Sequence, residues 1–353
     1  MKLLIITEHL DQYGGVCSSI VNLSNSLSNK IDVDIITREL NFRRDIKFKL
    51  YDEVGFLSFG SPKNSSMKIV SKIINWLKFG FYLRSISHKY NFFYSNGIIL
   101  NLISLIFLYD KKVIVCDHSN FFFSRRILRI LRFIFYRNAF KVLALTKDAE
   151  KEYYKIGCLT ALIPNSIDCN KDSSFELIKT AVVVGRLDDN KQVDHAIKAW
   201  INVFRNEGEW KLIIYGDGKN LNKLIALARG RKDIIFKGNE SNKNIIYNCS
   251  LIILTSKSEG LPMVLLEAQS YGIPIISYNC KSGPRDIVKN GSGILVKPDD
   301  IFDLSCTIEK LVNNEDILKR MSYFSMSNRY RYSHEQILNK WIEILNNKIM
   351  SKK

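Results

Sequence analysis

Two glutamates eight residues apart, Glu259 and Glu267, have the type and spacing that could place two carboxylates at one binding site. Both lie in the segment 258–268, which follows the apolar run 251–254 and begins a helical pattern near Pro262, a residue suited to a first helical turn. Ligands of open α/β sheets bind beyond the C-terminal ends of strands, so this segment is expected at a ligand site. Eight residues span about two helical turns, which lets the two glutamates reach different parts of one ligand.

The start of this predicted helix is suited to binding anions. Backbone N–H groups of a first helical turn lack partners within the helix and lie at the positive end of its dipole, where they bind phosphate or sugar oxygens. The groups concerned are those of Leu261, Met263 and Val264. One glutamate would then approach a reacting sugar while the other accepts hydrogen bonds from ribose hydroxyls. The alternative, a capping Glu259 and a solvated Glu267, is disfavoured by the Glu-Gly-Leu-Pro sequence and the preceding strand.

A second candidate set consists of two cations, Arg186 and Lys191, in the loop after the apolar run 181–184. Two cations at the end of a strand can clamp a diphosphate and stabilise the negative charge of a departing phosphate. The alternative is a pair of solvated surface cations.

A histidine and an aspartate, His118 and Asp117, follow the strand-like run 113–116. A histidine in this position can donate a hydrogen bond to a sugar hydroxyl or carbonyl oxygen. The alternative is a histidine that braces its own loop, and Asp117 is open to the same interpretation.

Two glycines, Gly14 and Gly15, follow the first strand-like run and would let the backbone approach a ligand closely, although a plain turn looks the same. The pattern is not Gly-x-Gly-x-x-Gly, which disfavours a dinucleotide site. The pair Asp32 and Asp34 mimics a metal-binding Asp-x-Asp motif. It falls inside a predicted strand, where both side chains share one face near the strand's start, so we interpret it as structural.

Two successive α/β units must position these residues. Strand-like runs occupy 3–7, 31–37, 92–94, 113–116, 142–144, 162–163, 181–184, 212–215, 234–236, 251–254, 275–277 and 294–296. Helical patterns occupy the region of Ile20, Leu23 and Leu27 and the segments 194–205, 221–229, 263–271, 301–312, 317–325 and 334–348. Alternation of strands and helices predicts an α/β fold with two parallel sheets. We place the domains at 1–170 and 171–335, followed by a C-terminal helix at 336–353.

Length and composition agree with two globular domains. The chain has 353 residues, of which 46% are hydrophobic. Seven scattered cysteines without a Cys-x-x-Cys pair argue against a disulfide framework or a zinc site and fit a reducing cytosol. We find no cleavable signal pattern, and the longest apolar run, 97–109, is shorter than the ~20 residues of a membrane-spanning helix.

The net charge of +17 is clustered rather than spread. No acidic residue lies between Glu53 and Asp110 or between Asp117 and Asp148. Cations alternate there with Phe, Trp, Ile and Leu, most densely at 67–84 and 121–140; Arg132 is among them. Such fields attract nucleic acid, anionic lipid headgroups or phosphorylated substrates. The pattern indicates an interfacial helix surface, the alternative being solvated helices that cover the core.

The glutamate segment resembles the Glu-x7-Glu motif of retaining glycosyltransferases of family 4, which have the GT-B fold. Further segments resemble the same family in the same order: Gly14-Gly15, Pro164-Asn165-Ser166-Ile167-Asp168, Gly185-Arg186-Leu187 with Lys191, Gly216-Asp217-Gly218 and Ser282-Gly283-Pro284-Arg285-Asp286. The resemblance implies two Rossmann-like domains facing across a cleft, with the C-terminal helix returning towards the N-terminal domain. It implies an acceptor site in the N-terminal domain and a donor site in the C-terminal one.

The resemblance also implies the role of each residue. The expected catalytic residues are Glu259, His118, Arg186 and Lys191. The expected donor-binding residues are Gly15, Arg186, Lys191, Gly260, Leu261, Met263, Val264 and Glu267. The expected acceptor side is formed by Gly14, Gly15, Asp117 and His118. No metal or other cofactor is expected, because the clamp cations make a metal unnecessary.

By the same resemblance the donor is a UDP-linked hexose or N-acetylhexosamine. The acceptor is a polyprenyl-diphosphate-linked sugar or a surface polysaccharide precursor of O-antigen, lipopolysaccharide, capsule or exopolysaccharide assembly. The enzyme is expected in the cytoplasm, peripherally associated with the anionic inner face of the cell membrane through its basic N-terminal domain, and no nucleic acid is expected as a partner. Two alternatives stay open: a GT-B sugar-nucleotide epimerase, and a basic membrane- or nucleic-acid-binding protein on an inactive transferase scaffold.

Overall fold

The computed structural model describes residues 1–12, 14–39, 42–61, 69–118, 126–169 and 175–346. The chain divides into two compact units, one formed by Met1–Ser166 with His334–Lys353 and the other by Ile167–Ser333. The divisions at 166/167 and 333/334 differ by four and two residues from those placed on the sequence, 170/171 and 335/336. The first and last residues of the second unit lie next to each other. Ile167 N–H donates to the Tyr332 carbonyl at 2.9 Å, and Ile167 and Ser333 form a β-bridge.

The first unit is a parallel sheet of seven strands in the order β3-β2-β1-β4-β5-β6-β7. Its strands are β1 Lys2–Thr7, β2 Asp32–Glu39, β3 Gly55–Ser61, β4 Phe92–Asn96, β5 Lys112–Cys116, β6 Lys141–Ala144 and β7 Thr160–Leu162. Its helices are α1 Gly15–Ser28, α2 Ile69–Ile86, α3 Ile98–Phe107, α4 Arg126–Phe135 and α5 Lys147–Lys155.

The centre of this sheet is buried on both faces. Leu3, Leu4, Ile5 and Ile6 of β1 are fully buried, which is why the strand reads as a continuous apolar run rather than an alternating one. At the start of the neighbouring β2, Asp34 accepts a hydrogen bond from the Tyr90 hydroxyl at 2.7 Å and pairs with Lys2 at 2.9 Å, in agreement with the structural interpretation of this aspartate.

The second unit is a parallel sheet of six strands in the order β10-β9-β8-β11-β12-β13. Its strands are β8 Thr180–Val184, β9 Lys211–Tyr215, β10 Ile234–Gly238, β11 Leu251–Leu254, β12 Ile275–Tyr278 and β13 Gly293–Val296. Its helices are α6 Val193–Val203, α7 Leu221–Ala228, α8 Lys243–Ile246, α9 Met263–Ser270, α10 Pro284–Ile287, α11 Ile301–Val312 and α12 Glu315–Asn328.

The strand order of the second sheet runs outward in both directions from its first strand, β8. Such a sheet has a topological switch point, here between β8 and β11, where the loops after the two strands diverge and leave a crevice. The loop after β8 carries Arg186 and Lys191, and the loop after β11 carries Glu259.

The last helix, α13 His334–Leu345, belongs to the first unit. Trp341 is 2% exposed, and its ring lies 4.7 Å from that of Tyr94, centroid to centroid, in an edge-to-face contact. None of the described helices combines the length and the apolar composition that a membrane-spanning segment needs.

Most elements lie where the apolar patterns predict them, and the run 251–254 matches β11 residue for residue. β3 was missed. Among the described strands, Gly55–Ser61 pairs only with β2, and it is half-buried along most of its length, so its sequence lacks both a continuous apolar run and a clear alternation.

Candidate functional site

The centre of the candidate site in the second unit is an ion pair between Lys191 and Glu259. Lys191 Nζ lies 2.6 Å from Glu259 Oε1, and the side chains are 18% and 12% exposed. The two residues come from opposite sides of the switch point between β8 and β11, the crevice where sheets of this order bind ligands. A cation and a carboxylate 68 positions apart in sequence are therefore brought together at the predicted edge.

The loops that carry this pair are fixed by glycines. Gly216, after β9, has φ +134°, and a Cβ added there would lie 1.9 Å from the Gly185 carbonyl oxygen. The loops after β8 and β9 therefore pack backbone against backbone. Leu187 N–H donates to the Asp217 carbonyl at 2.9 Å, which completes this contact. Gly216 is thus required by close approach of the chain, as is Gly218, where a Cβ would lie 2.5 Å from the Leu187 carbonyl oxygen.

Glu267, on α9, is held by two residues that the sequence interpretation did not identify. The Tyr247 hydroxyl donates to Glu267 Oε2 at 2.7 Å, and Lys243 Nζ lies 2.9 Å from Oε1. Burial, followed by the charge of Glu267, raises the pKa of Tyr247, so this hydroxyl stays protonated and donates. The carboxylate is only 17% exposed and is therefore not a freely solvated helix residue.

A pocket of about 270 Å³ opens beside Glu267. Its lining includes Asp168, Lys243, Asn244 and Tyr271, so it is rich in groups that can bond to hydroxyls and amides. No sequence signal marked Lys243 or Tyr247, because they reach Glu267 from a different strand–helix connection.

The helix start near Glu259 differs slightly from the expectation. α9 begins at Met263, and Pro262 is its N-cap rather than its first helical residue. Val264 lies in its first turn, whereas Leu261, 6% exposed, is buried just before the cap. Gly260 is packed under the loop after β12, where a Cβ on Gly283 would approach the Gly260 carbonyl oxygen to 2.6 Å.

Arg186 is placed differently from Lys191. Its side chain is 81% exposed, and its guanidinium lies 3.4 Å from Asp188 Oδ2. The structure therefore brings Lys191 against Glu259 and leaves Arg186 extended into solvent from the same loop.

In the first unit, His118 and Asp117 are adjacent in sequence but face different surroundings. The Asp117 carboxylate is 1% exposed and accepts hydrogen bonds from Arg132 Nε at 2.7 Å, Tyr153 at 2.8 Å and Tyr136 at 2.9 Å. Asp117 thus braces the interior, and the expectation that it lies on an acceptor side is not supported by this geometry.

The two ring nitrogens of His118 differ in their hydrogen bonding. Asn96 donates through Nδ2 to the Ile6 carbonyl, so its Oδ1 accepts from His118 Nε2 at 2.9 Å. His118 Nδ1 is buried and has no hydrogen-bond partner among the described residues. Burial lowers the pKa of His118 to about 4, so the ring is neutral near pH 7 and Nδ1 is an acceptor.

Gly15 begins α1, and Gly14 is its N-cap. A Cβ on Gly14 would meet no atom of the described residues within 4 Å. Packing of the described residues therefore does not require a glycine at position 14, unlike position 216.

The basic windows of the first unit are only partly described, since 62–68 and 119–125 lie outside the described residues. Within α2 and α4 several apolar side chains are exposed: Val70, Ile73, Ile74, Leu77, Phe81, Ile127, Ile130, Phe133 and Ile134. One expectation is wrong, because Arg132 is not a surface cation but is fully buried on Asp117.

Comparison with known proteins identifies related sequences. The model of the family described as glycosyl transferases group 1 matches residues 170–326. The amylovoran biosynthesis glycosyltransferase AmsD of Erwinia amylovora is 27% identical over 98% of this chain and 99% of the relative. An uncharacterized glycosyltransferase of Haemophilus influenzae is 30% identical over 66% of this chain and 69% of the relative.

A third relative carries its acceptor in its name. The Campylobacter jejuni GalNAc-alpha-(1->4)-GalNAc-alpha-(1->3)-diNAcBac-PP-undecaprenol alpha-1,4-N-acetyl-D-galactosaminyltransferase is 27% identical over 98% of each chain.

Solved structures show the same architecture. The lipopolysaccharide outer core galactosyltransferase WaaB, in its apo form, superposes with a TM-score of 0.76 at 21% identity over 99% of this chain and 100% of its own. Anabaena Alr3699/HepE in complex with UDP superposes with a TM-score of 0.77 at 15% identity over 98% of this chain and 100% of its own. At these identities the likeness concerns the fold, which is the α/β GT-B fold predicted from the sequence.

Proposed function

We propose a specific reaction for this chain, which belongs to the family of glycosyl transferases group 1. The protein moves a hexose or N-acetylhexosamine from a UDP-sugar to a hydroxyl of a lipid-linked oligosaccharide or surface polysaccharide precursor. The configuration of the sugar is retained. The observation that carries the proposal is the Lys191–Glu259 pair at the switch point of the second sheet, 2.6 Å apart and partly shielded from solvent.

In the proposed reaction, Lys191 neutralises the charge that develops on the leaving diphosphate. A preorganised ammonium in a shielded crevice stabilises such charge better than water does. The start of α9 adds N–H groups and a positive helix end on the same side of the sheet. Arg186, extended into solvent in this structure, closes on the diphosphate when the donor binds.

Glu259 and Glu267 have separate roles. Glu259 positions and polarises the sugar without forming a covalent bond to it. The Glu267 carboxylate has about four lone-pair sites, of which Tyr247 and Lys243 occupy part, and it accepts hydrogen bonds from the ribose hydroxyls with the rest. The acceptor hydroxyl attacks the anomeric carbon from the face that the diphosphate leaves, and its proton passes to the leaving phosphate oxygen.

The choice of donor and acceptor is supported by relatives. HepE was crystallised with UDP, and the Campylobacter relative acts on a sugar chain linked to undecaprenyl diphosphate. Two cations of the same loop, Arg186 and Lys191, can balance the charge of the diphosphate, so we propose that no metal is required.

We also propose that the first unit binds an anionic membrane surface through α2 and α4. Val70, Ile73 and Phe81 of α2 are 68%, 57% and 67% exposed, and Ile127 and Ile134 of α4 are 64% and 53% exposed. The sequence around them is basic and lacks acids, and such amphipathic basic surfaces bind anionic lipid interfaces. This placement puts the enzyme on the cytoplasmic face, where a polyprenyl-linked acceptor is accessible.

Sedimentation with vesicles tests the membrane surface. The protein should sediment with phosphatidylglycerol-containing vesicles and much less with phosphatidylcholine alone. The double variant Ile73→Glu/Phe81→Glu should bind these vesicles at least about tenfold more weakly. It removes two apolar contacts with the membrane and adds two negative charges, which the anionic lipids repel. The control Ile225→Glu/Ile245→Glu changes exposed apolar residues of the second unit, 47% and 50% exposed, and should bind as the wild type does. Equal loss in both variants would remove this part of the proposal.

The reaction itself is tested with a panel of nucleotide sugars and a synthetic polyprenyl-diphosphate-linked acceptor. We expect turnover with a UDP-sugar, an α-linked product from an α-linked donor by NMR, and unchanged turnover in EDTA. Glu259→Gln should lower kcat at least about 100-fold, whereas the surface control Glu315→Gln should not. Donor conversion without acceptor would indicate an epimerase, and salt-dependent binding of DNA without turnover would indicate an inactive scaffold.

A further inference from the structure

The backbone beside Lys191 is held across the switch point by the side chain of Thr255. Thr255, 1% exposed, directly follows β11, and its Oγ1 lies 2.9 Å from both the Lys191 and Gln192 carbonyl oxygens. A hydroxyl has one proton, so the two carbonyls share it. No other side chain is recorded as donating to either carbonyl in the described part of the chain.

The same loop is joined to the Glu259 loop at two further points. Asn190 Nδ2 donates to the Ser258 carbonyl at 3.0 Å, and Lys257 N–H donates to the Asn190 carbonyl at 2.8 Å. The segment 190–192, which contains Lys191, is therefore bonded directly to the segment 255–258, which Glu259 follows.

The loop between Lys191 and α6 adopts a conformation that needs such support. Gln192 has φ 45° and ψ 44°, the left-handed region that residues with a Cβ avoid. Its side-chain Nε2 donates to Asp299 Oδ1 at 2.7 Å, and its carbonyl accepts from Thr255 and from the His195 N–H. Contacts on both sides of the turn thus hold the chain in an unfavourable conformation, which persists only where the surroundings fix it.

We propose that Thr255 is a positioning residue of the transferase reaction: it fixes the backbone at Lys191 and Gln192 so that the Lys191 ammonium meets the leaving diphosphate. The inference rests on the proposed function, since it assigns a purpose to the position of Lys191. Thr255 touches neither donor nor acceptor in this account and acts only through the loop that it holds.

The diagnostic variant is Thr255→Val, which keeps the shape of the side chain and removes its hydroxyl. The negative charge on the leaving phosphate grows in the transition state and is complete in UDP. A displaced Lys191 therefore weakens binding of the transition state and of UDP more than it weakens binding of the donor. We expect kcat to fall about tenfold, the UDP inhibition constant to rise by a similar factor, and the donor KM to change less than about threefold. Thr255→Ser, which restores the hydroxyl, should recover most of the loss.

A double-mutant cycle separates positioning from general stability. In the Lys191→Met background, Thr255→Val should change the UDP inhibition constant by less than about twofold, because the group that it positions is gone. The control Thr180→Val makes the same change at the buried start of β8, 8% exposed, and should leave kcat and UDP inhibition unchanged even if it lowers the melting temperature.

The outcomes are distinguishable. If Lys191→Met alone leaves turnover and UDP inhibition unchanged, the proposed function fails. The proposed function stands but the positioning role of Thr255 is wrong in two cases, both with an impaired Lys191→Met. In the first, Thr255→Val lowers only the melting temperature. In the second, Thr255→Val raises the UDP inhibition constant by the same factor in the Lys191→Met background as in the wild type.

Discussion

At the scale of single residues, burial divides the ionised groups of this protein into two kinds. Asp117 and Arg132 are almost completely buried and bonded to each other, so neither can exchange its partner for a ligand. Lys191 and Glu259 are 18% and 12% exposed and have ligand-accessible crevice positions. The sequence placed Asp117 on an acceptor side and Arg132 in a basic surface window, and only the fold shows that the two form a buried structural pair.

The residues that the sequence singled out for the site lie in contiguous motifs after apolar strands. Glu259 and Lys191 are two of them, and the structure brings them into contact. Tyr247 and Lys243 were missed because their contact with Glu267 depends on the packing of α8 against α9, which leaves no periodicity or spacing in the chain.

His118 supplies a prediction about pH. Burial lowers its pKa from 6.5 to about 4, so between these values the unfolded chain binds a proton that the folded protein does not. The free energy of unfolding should therefore fall as pH decreases from 6.5 to 4, by at most about 1.4 kcal/mol per pH unit from this residue.

Urea unfolding across this range, compared with His118→Asn, measures the contribution. The difference between wild type and variant should shrink or reverse as pH decreases. The control His88→Asn changes an exposed histidine and should follow the wild-type curve. If the difference in free energy of unfolding between wild type and His118→Asn does not vary with pH, His118 is not held neutral by burial in the folded protein.

At the scale of elements, the position of Glu259 depends on how the loop after β12 packs against the residues just before α9. Gly283 has φ +89°, and a Cβ there would lie 2.6 Å from the Gly260 carbonyl oxygen and 2.8 Å from Pro262 Cδ. The sequence identified both segments by resemblance, but their contact could not be predicted because it depends on the register of β11 and β12.

Gly283→Ala should therefore displace the Glu259 loop and lower kcat/KM at least about tenfold, since small displacements of catalytic groups are costly. Gly230→Ala is the matched control, because Gly230 also has a positive φ, +70°, but a Cβ there would meet no atom within 4 Å among the described residues. Both variants should lose about 1 kcal/mol or more of stability from the backbone conformation, and steady-state kinetics should show the activity loss for Gly283→Ala alone. Equal kinetics in the two variants would refute the packing argument.

At the scale of the whole molecule, the sequence predicted two α/β units because each repeats strands, glycine turns and helices in a regular order. The assignment of α13 to the first unit depends on side-chain packing of Trp341 on Tyr94, which periodicity alone does not specify. The edge strand β3 was missed because a half-buried edge strand has no clear pattern of apolar and polar residues.

Two tryptophans test the division of the chain. Trp341→Ala should remove about 3 kcal/mol or more of stability from the first unit and Trp200→Ala a similar amount from the second, since both side chains are buried. Hydrogen exchange should then accelerate by about 100-fold in β1, β4 and β5 for Trp341→Ala, and in β8, β9 and β11 for Trp200→Ala. Uniform acceleration over both sheets in each variant would show that the units are not separate.

The central claim is that Lys191 holds the diphosphate of the donor at the switch point of the second sheet. Calorimetric titration of UDP into wild type, Lys191→Met and the control Lys198→Met, a lysine of α6 paired with Asp194, tests it directly. We predict that Lys191→Met weakens UDP binding by at least about tenfold, the cost of one charge-assisted hydrogen bond, while Lys198→Met binds UDP as the wild type does. Equal UDP affinity in all three proteins would contradict the account.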